Sequence, residues 1–218
     1  MKARLNPPPG PRVFGASEGS AMDPATHERI DALAVAFQDG DREAFADLID
    51  ELQDPFYRVA YRVLGDAEAA LDVVQDAFVK LHKNVDSWDR RSRFASWSYR
   101  VVTNLSIDRI RRSARERKAW EVRAARSEPF AEDASEQGIL AEERAQLVRR
   151  VKQAIAALPP GQRAIVALRH YEGCTLKEIA EIRGCALGTV KSTLHQAFRS
   201  LRRTLGRELL EQVAGEAP

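Results

Sequence analysis

The stretch "SWDRRSRFASWSYRVVTNLSIDRIRRSARER", residues 87–117, carries side chains whose types and spacing suit contact with nucleic acid. Arg100, Asn104, Asp108 and Arg111 recur at three- and four-residue intervals, which places them on one face of a helix. Arginine holds phosphate, and the asparagine carboxamide offers both a donor and an acceptor to a base edge. Arg91, Arg93 and Arg112 add positive charge at the two ends of that face. Phe94, Trp97 and Val101 fall on another, apolar face, and Trp97 is read as core. Trp88 stands in the loop before the helix among polar and basic residues. An aromatic there serves equally as a core anchor or as a platform on which an unpaired base stacks.

A second constellation is "CTLKEIAEIRGCALGTVKSTLHQAFRSLRR", residues 174–203. Thr175 with Glu178 three residues on makes a capping box, so a helix is predicted to begin at Leu176. Its inner face carries Ile179, Ala180 and Ile182. Gly184 supplies a turn, because a residue without Cβ reaches positive φ at little cost. A second helix starts near Leu187 and buries Val190, Leu194 and Ala197. Lys191, Ser192, Thr193, His195, Gln196 and Arg199 are left for its other faces. Two helices so joined form a helix-turn-helix, whose second helix presents its N-terminal side chains to the major groove. The plainer reading is a helical hairpin with a charged surface. Five bases and no acid between Lys191 and Arg207 favour the DNA reading.

The third is "EAALDVVQDAFVKLH", residues 68–82. Asp72, Gln75, Asp76 and Val79 lie opposite an apolar stripe. A polar, acidic face with one exposed aliphatic suits a protein contact better than DNA, with simple solvation as the alternative. Charge segregation along the chain points the same way. From Asp39 to Asp76 there are eleven acids and three arginines, whereas from Arg100 to Arg126 there are nine bases and three acids. A net charge of +2 hides this asymmetry, which implies a nucleic-acid surface and a separate acidic surface for another partner.

Catalytic chemistry finds little support. His27, His82, His170 and His195 are scattered, without a metal-protease motif, a phosphate-cradling glycine loop or a nucleophile motif. The reading is therefore of a protein that is not an enzyme and needs no metal or cofactor. Cys174 and Cys185 are the only cysteines and read as small buried hydrophobes in a reducing compartment. No apolar run approaches the ~20 residues of a membrane span, so no membrane insertion is expected. Residues 1–25 lack the apolar core of a signal peptide, and their Pro, Gly and Ser content suggests a disordered arm. Met22 is a candidate physiological start, and a cytoplasmic location is expected.

The elements that must position these side chains are all helical, since periodicity of three to four residues runs almost throughout and no alternating strand appears. Ile30, Leu33 and Phe37 begin the pattern, and Phe45, Leu48, Ile49 and Leu52 continue it. Pro55 marks a new helix start before Phe56, Val59 and Val63. Gly65 and Asp66 break the chain, and Leu71, Val74, Phe78, Leu81 and Val85 form a long stripe. An all-α chain of two small domains results. A bundle spans residues 26–112, and an acidic, flexible linker spans 113–137, including "SEPFAEDASEQ". The helix-turn-helix domain spans 138–210, with a tail at 211–218.

Together and in this order, "LDVVQDAFVKL", "SRFASWSYRVVTNLSIDRIRR", "LPPGQRAIVALRHYEG" and "LKEIAEIRGCALGTVKS" resemble the extracytoplasmic-function sigma factors of bacterial RNA polymerase, a branch of the sigma-70 family. The resemblance implies two helical domains, regions 2 and 4, and a role in directing core polymerase to promoters and opening the duplex. Asp72, Gln75, Asp76 and Val79 would dock on the clamp helices of the largest polymerase subunit. Trp88, Arg91, Arg93, Phe94, Arg100, Asn104, Asp108, Arg111 and Arg112 would bind the −10 element. Gly188, Thr189, Lys191, Ser192, Thr193, His195, Gln196 and Arg199 would bind the −35 element. Region 4 would also meet the flap of the second-largest subunit, and an anti-sigma factor would be a further partner. The acidic linker would pass through the polymerase's RNA path.

The chain departs from the family pattern in places. Only Asp72 remains where the family carries a run of acids before the Val-Gln pair, and Ser98 replaces a common leucine. Thr193, Gln196 and Phe198 stand where three cations are usual, so −35 binding should depend less on salt, by about 0.9 in slope per phosphate contact. The rival reading is a sigma-like decoy that binds an anti-sigma factor or polymerase without recognising a promoter. A dimeric helix-turn-helix repressor would leave residues 40–112 unexplained.

Overall fold

A computed structural model of the chain describes residues 24–121 and 139–206; of Pro24, residues 116–121 and 139–145, and Leu147 it gives the backbone alone. The expected arm lies outside the described residues up to residue 23, as does the tail. Of the expected linker, residues 122–137 lie outside them, and residues 113–121 continue a helix.

Eight α-helices occur among the described residues: α1 Pro24–Gln38, α2 Glu43–Leu64, α3 Ala67–Asn84, α4 Phe94–Glu121, α5 Ile139–Ala156, α6 Pro160–His170, α7 Leu176–Arg183 and α8 Leu187–Leu205. No strand occurs among them. Helix α2 buries Ala44, Leu48, Leu52, Phe56, Val59, Ala60 and Val63 at three- and four-residue spacing, a continuous apolar stripe. That stripe corrects the expectation of a helix start at Pro55, which lies inside α2. Proline removes one intrahelical hydrogen bond at a cost of ~3 kcal/mol. Burial of Leu52, Phe56 and Val59 around it, at ~1.5–3 kcal/mol per side chain, outweighs that local cost.

Helix α2 ends where expected, at Gly65, whose φ of 76° lets its N–H reach the Tyr61 carbonyl. Asp66 then caps α3, its carboxylate accepting from the Ala69 N–H at 2.9 Å. Helices α1 to α4 pack around Phe56, Phe78, Tyr99 and Phe94. The second unit also forms as expected at its turns. Thr175 and Glu178 make both bonds of the capping box, and Gly184 closes α7 at φ 59°. A smaller cluster of Val151, Ala154, Leu158, Val166, Ala197, Leu201 and Leu205 joins α5, α6 and α8.

The two units are in contact. Ala164, Ile165 and Leu168 of α6, with Ile179 and Ile182 of α7, belong to the same apolar cluster as α1 to α4. Arg163 is buried between them and donates to the Val63 carbonyl at the end of α2 and to carbonyls at the end of α5. A cation is favourable at helix C-termini, where carbonyls lack intrahelical partners. Burial lowers the affinity of its guanidinium for the proton.

Candidate nucleic-acid and partner interfaces

Helix α3 presents the first set as expected from its spacing. Asp72, Gln75, Asp76 and Val79 are all exposed, and Val79, at 52% accessible, is the more exposed of two large hydrophobics at the surface among the described residues. Arg109 of α4 reaches Asp72 at 3.3 Å, a surface pair open to solvent. It moderates one of the two carboxylates on that face and was not signalled by the α3 pattern.

The loop over residues 88–93 is held from several sides. Gln38 donates to the carbonyls of Val85 and Trp88, each at 3.0 Å. Arg90, the one non-glycine residue with positive φ among the described residues, bonds Gln38 and pairs with Asp39. Asp31 of α1 accepts from the Phe94 N–H at 2.7 Å, placing an anion at the start of α4 where free N–H groups gather. Trp88 is turned inward, 3% accessible, with its indole N–H on the Ser92 carbonyl at 2.9 Å and its ring edge-on to Phe94. Phe94 is 1% accessible. Of the two readings left open for Trp88, core anchor or base platform, its burial favours the anchor, and Phe94 lies buried with it as the floor of the loop. An indole whose N–H finds a carbonyl loses little by burial. Arg91 and Arg93 are exposed, beside a cavity of about 490 Å³ lined also by Asp31, Val35 and Trp88.

Arg100, Asn104, Asp108 and Arg111 form an exposed stripe on α4, with Arg112 beside it. Arg111 and Asp108 lie 3.8 Å apart. The upper part of the stripe is engaged by the second unit. The Arg100 Nε donates to the Ile182 carbonyl at 3.2 Å, and Arg183 donates to the Asn104 carboxamide oxygen at 3.1 Å. Gly184 lies against the Arg100 guanidinium so closely that a Cβ there would displace it. These α7 partners have no periodic signal in the sequence.

Helix α8 presents the third set. Gly188, Thr189, Lys191, Ser192, His195, Gln196 and Arg199 are exposed and Thr193 is half-buried, while Val190 and Ala197 are buried and Leu194 is partly so. Ser192 bonds the Thr189 carbonyl at 3.0 Å, and Arg199 lies 3.0 Å from the His195 ring. Lys191 stands clear in the second turn, suited to phosphate. Phe198, at 37% accessible, meets the edge of His170. Cys174 and Cys185 are half-buried rather than buried, and burial pushes the Cys174 thiol up to about 12, which makes it a poor nucleophile.

Comparisons with known proteins agree with this layout. Residues 48–116 match the Sigma-70 region 2 family and residues 149–201 match Sigma-70, region 4. The ECF RNA polymerase sigma factor SigW of Bacillus subtilis (strain 168) is 35% identical over 170 residues, covering 76% of this chain and 91% of that protein. The ECF RNA polymerase sigma-E factor of Escherichia coli (strain K12) is 31% identical over 176 residues, covering 78% and 90%. Among solved structures, the sigma factor RpoE in complex with the anti-sigma factor NepR from Bartonella quintana superposes with a TM-score of 0.55 at 26% identity, covering 74% of this chain and 98% of that one. Both halves of the chain, in order and across nearly the full length of its relatives, thus carry one family's pattern. The chain belongs to the extracytoplasmic-function sigma factors of the sigma-70 family.

Proposed function

We infer that the protein is an alternative sigma factor, which binds core RNA polymerase, recognises −35 and −10 promoter elements and promotes melting for initiation, without catalysis of its own. The observation that carries this reading is the presence of three distinct exposed surfaces on one family-assigned chain. These are the acidic–aliphatic face of α3, the cationic stripe of α4 and the N-terminal half of α8. None of the described helices is long and apolar enough to cross a membrane, and the cytoplasm is the compartment where core polymerase and promoter DNA meet.

Each surface takes one partner. Asp72, Gln75, Asp76 and Val79 dock on the clamp helices of the largest subunit, Val79 filling a dry contact within an acidic rim. Residues 88–93 and the α4 stripe take the −10 element. Extracting a base from its stack costs a few kcal/mol. The cavity beside Arg91 and Arg93 offers such a base a place, and Asn104 offers it hydrogen bonds. The buried Trp88 and Phe94 hold the loop in shape. Helix α8 enters the −35 major groove with Gly188, Thr189, Lys191 and Ser192 leading. Region 4 also meets the polymerase flap, and an anti-sigma factor is a further partner.

The docking role is tested by co-migration with core polymerase. Val79→Asp should weaken core binding by about tenfold or more, as expected for a central aliphatic contact. Asp50→Asn, at an exposed site on α2, should leave it unchanged. Equal binding by wild type and Val79→Asp would remove α3 from the interface.

A further inference from the structure

Helix α1 lies ahead of residues 48–116, the segment that matches Sigma-70 region 2, and none of its residues has a part in the DNA contacts assigned above. Its polar side chains nevertheless end in the loop that takes the −10 element. The side-chain nitrogen of Gln38, the last residue of α1, donates to the carbonyls of Val85 and Trp88, each at 3.0 Å. The oxygen of the same carboxamide accepts from the Arg90 Nε, and the next residue, Asp39, pairs with the Arg90 guanidinium. About two turns earlier on α1, Asp31 accepts from the Phe94 N–H at 2.7 Å. The two ties bracket Arg91, Ser92 and Arg93, with Arg90 held on one side and Phe94 on the other.

Two observations set this apart from ordinary packing. Arg90 has φ 60°, a left-handed conformation that residues with a Cβ rarely adopt. Such a conformation persists where its surroundings over-determine it, and here those surroundings are Gln38 and Asp39. The cavity beside the loop is also built in part by α1, since Asp31, Ala32 and Val35 line it together with Arg91 and Arg93. The loop alone does not enclose it. A base is discriminated only by donors and acceptors held within about 0.5 Å of their working positions, which requires supporting hydrogen bonds behind them.

We propose that Gln38 and Asp31 of α1 are positioning residues for recognition of the −10 element, fixing both ends of residues 91–93 and so setting which base the cavity accepts. This role rests on the assignment of residues 88–93 to −10 DNA. Gln38 acts through Arg90 and the Trp88 carbonyl, and Asp31 acts through the Phe94 N–H. Arg91 and Arg93 meet the DNA. Base preference at −10 therefore depends on a helix outside the segment that carries the family pattern.

The test uses core polymerase assembled with the full chain, wild type or variant. The template is a promoter on which the wild type starts, randomised over −10, constant at −35 and barcoded in its transcribed part. Sequencing the transcripts gives total output and the preference among bases at each −10 position. Gln38→Ala removes every bond of that carboxamide. Arg90→Gly keeps the positive φ, which glycine adopts freely, and removes the tie to Gln38 and Asp39. Each should narrow the preference for the best base over the worst by roughly tenfold at one position, within the ~100-fold that a 1 Å misplacement can cost. The double variant should be no worse than the more severe single one, because the two changes break a shared bond. Asp31→Asn, which keeps an oxygen for the Phe94 N–H, should retain a preference that Asp31→Ala loses. A change that merely weakens the fold lowers output on all templates alike, so reduced output at unchanged ratios would overturn the positioning role, as would wild-type behaviour of the α1 variants. Arg91→Ala and Arg93→Ala test the underlying assignment separately. If they shift the ratios and the α1 variants do not, the positioning role alone falls. If they leave the ratios unchanged, or the wild type shows no base preference, residues 88–93 do not read −10 and both fall.

Discussion

Asn104 and Lys191 illustrate how the same residue-scale logic yields two different roles. Asn104 has a carboxamide suited to a base edge and lies on the stripe of α4; Lys191 is an exposed point charge near the start of α8. Asn104→Ala should leave −35 duplex binding near wild type and impair opening, read as permanganate-reactive thymines at the −10 element. Lys191→Ala should weaken duplex binding and lower its salt slope by about 0.9. Equal effects of both on duplex binding would contradict the division of labour. Both positions were legible from sequence because their neighbours set the helical phase. The orientation of Trp88 was not. Nothing in "SWDRRSRF" says whether an indole turns in or out; that depends on the Ser92 carbonyl folding back beneath it and on Gln38, fifty residues away, holding the loop.

At the scale of elements, local chemistry was most readable where it is self-contained. The capping box and Gly184 fix both ends of α7 with groups only a few residues apart. Thr175→Ala removes the side-chain acceptor for the Glu178 N–H and should cost about 1 kcal/mol, seen as a melting temperature lower by ~2–4 °C. No change would mean that packing of Ile179 and Ile182 alone sets the helix start. Proline at position 55 misleads for the converse reason, because a local penalty is overruled by the tertiary burial of the stripe around it. The extension of α4 to Glu121 was likewise hidden, since beyond Ser113 the sequence is too polar to show a buried face.

The whole molecule depends on pairs that no periodicity reveals, such as Arg58 with Glu172, separated by 114 positions. One signal was present: Arg163 interrupts the apolar run "AIVAL" at its start, and a charge so placed asks for buried acceptors. Glu172 makes a pH prediction. Burial outweighs its bonds to Arg58 and Tyr99, so its carboxyl is raised above the ordinary 4.5 in the folded chain. Arg58, Tyr99 and Arg62 face it, with the Cys174 thiol near by. A raised carboxyl binds its proton more tightly folded than unfolded, so its contribution to stability is full below the unfolded value and is lost as pH rises through the folded one. The stability of wild type relative to Glu172→Gln should therefore fall as pH is raised from about 4 toward 7, read from urea midpoints. A difference that grows over that range would mean the Arg58 pair dominates after all.

Whether this chain gives polymerase a promoter preference is read by run-off transcription. Core RNA polymerase is supplied with a library of genomic fragments, with and without the protein. Discrete new start sites are expected, and the DNA upstream of them should align on two elements near −10 and −35. Folded protein that binds core and yields no start site would contradict the account and favour the decoy.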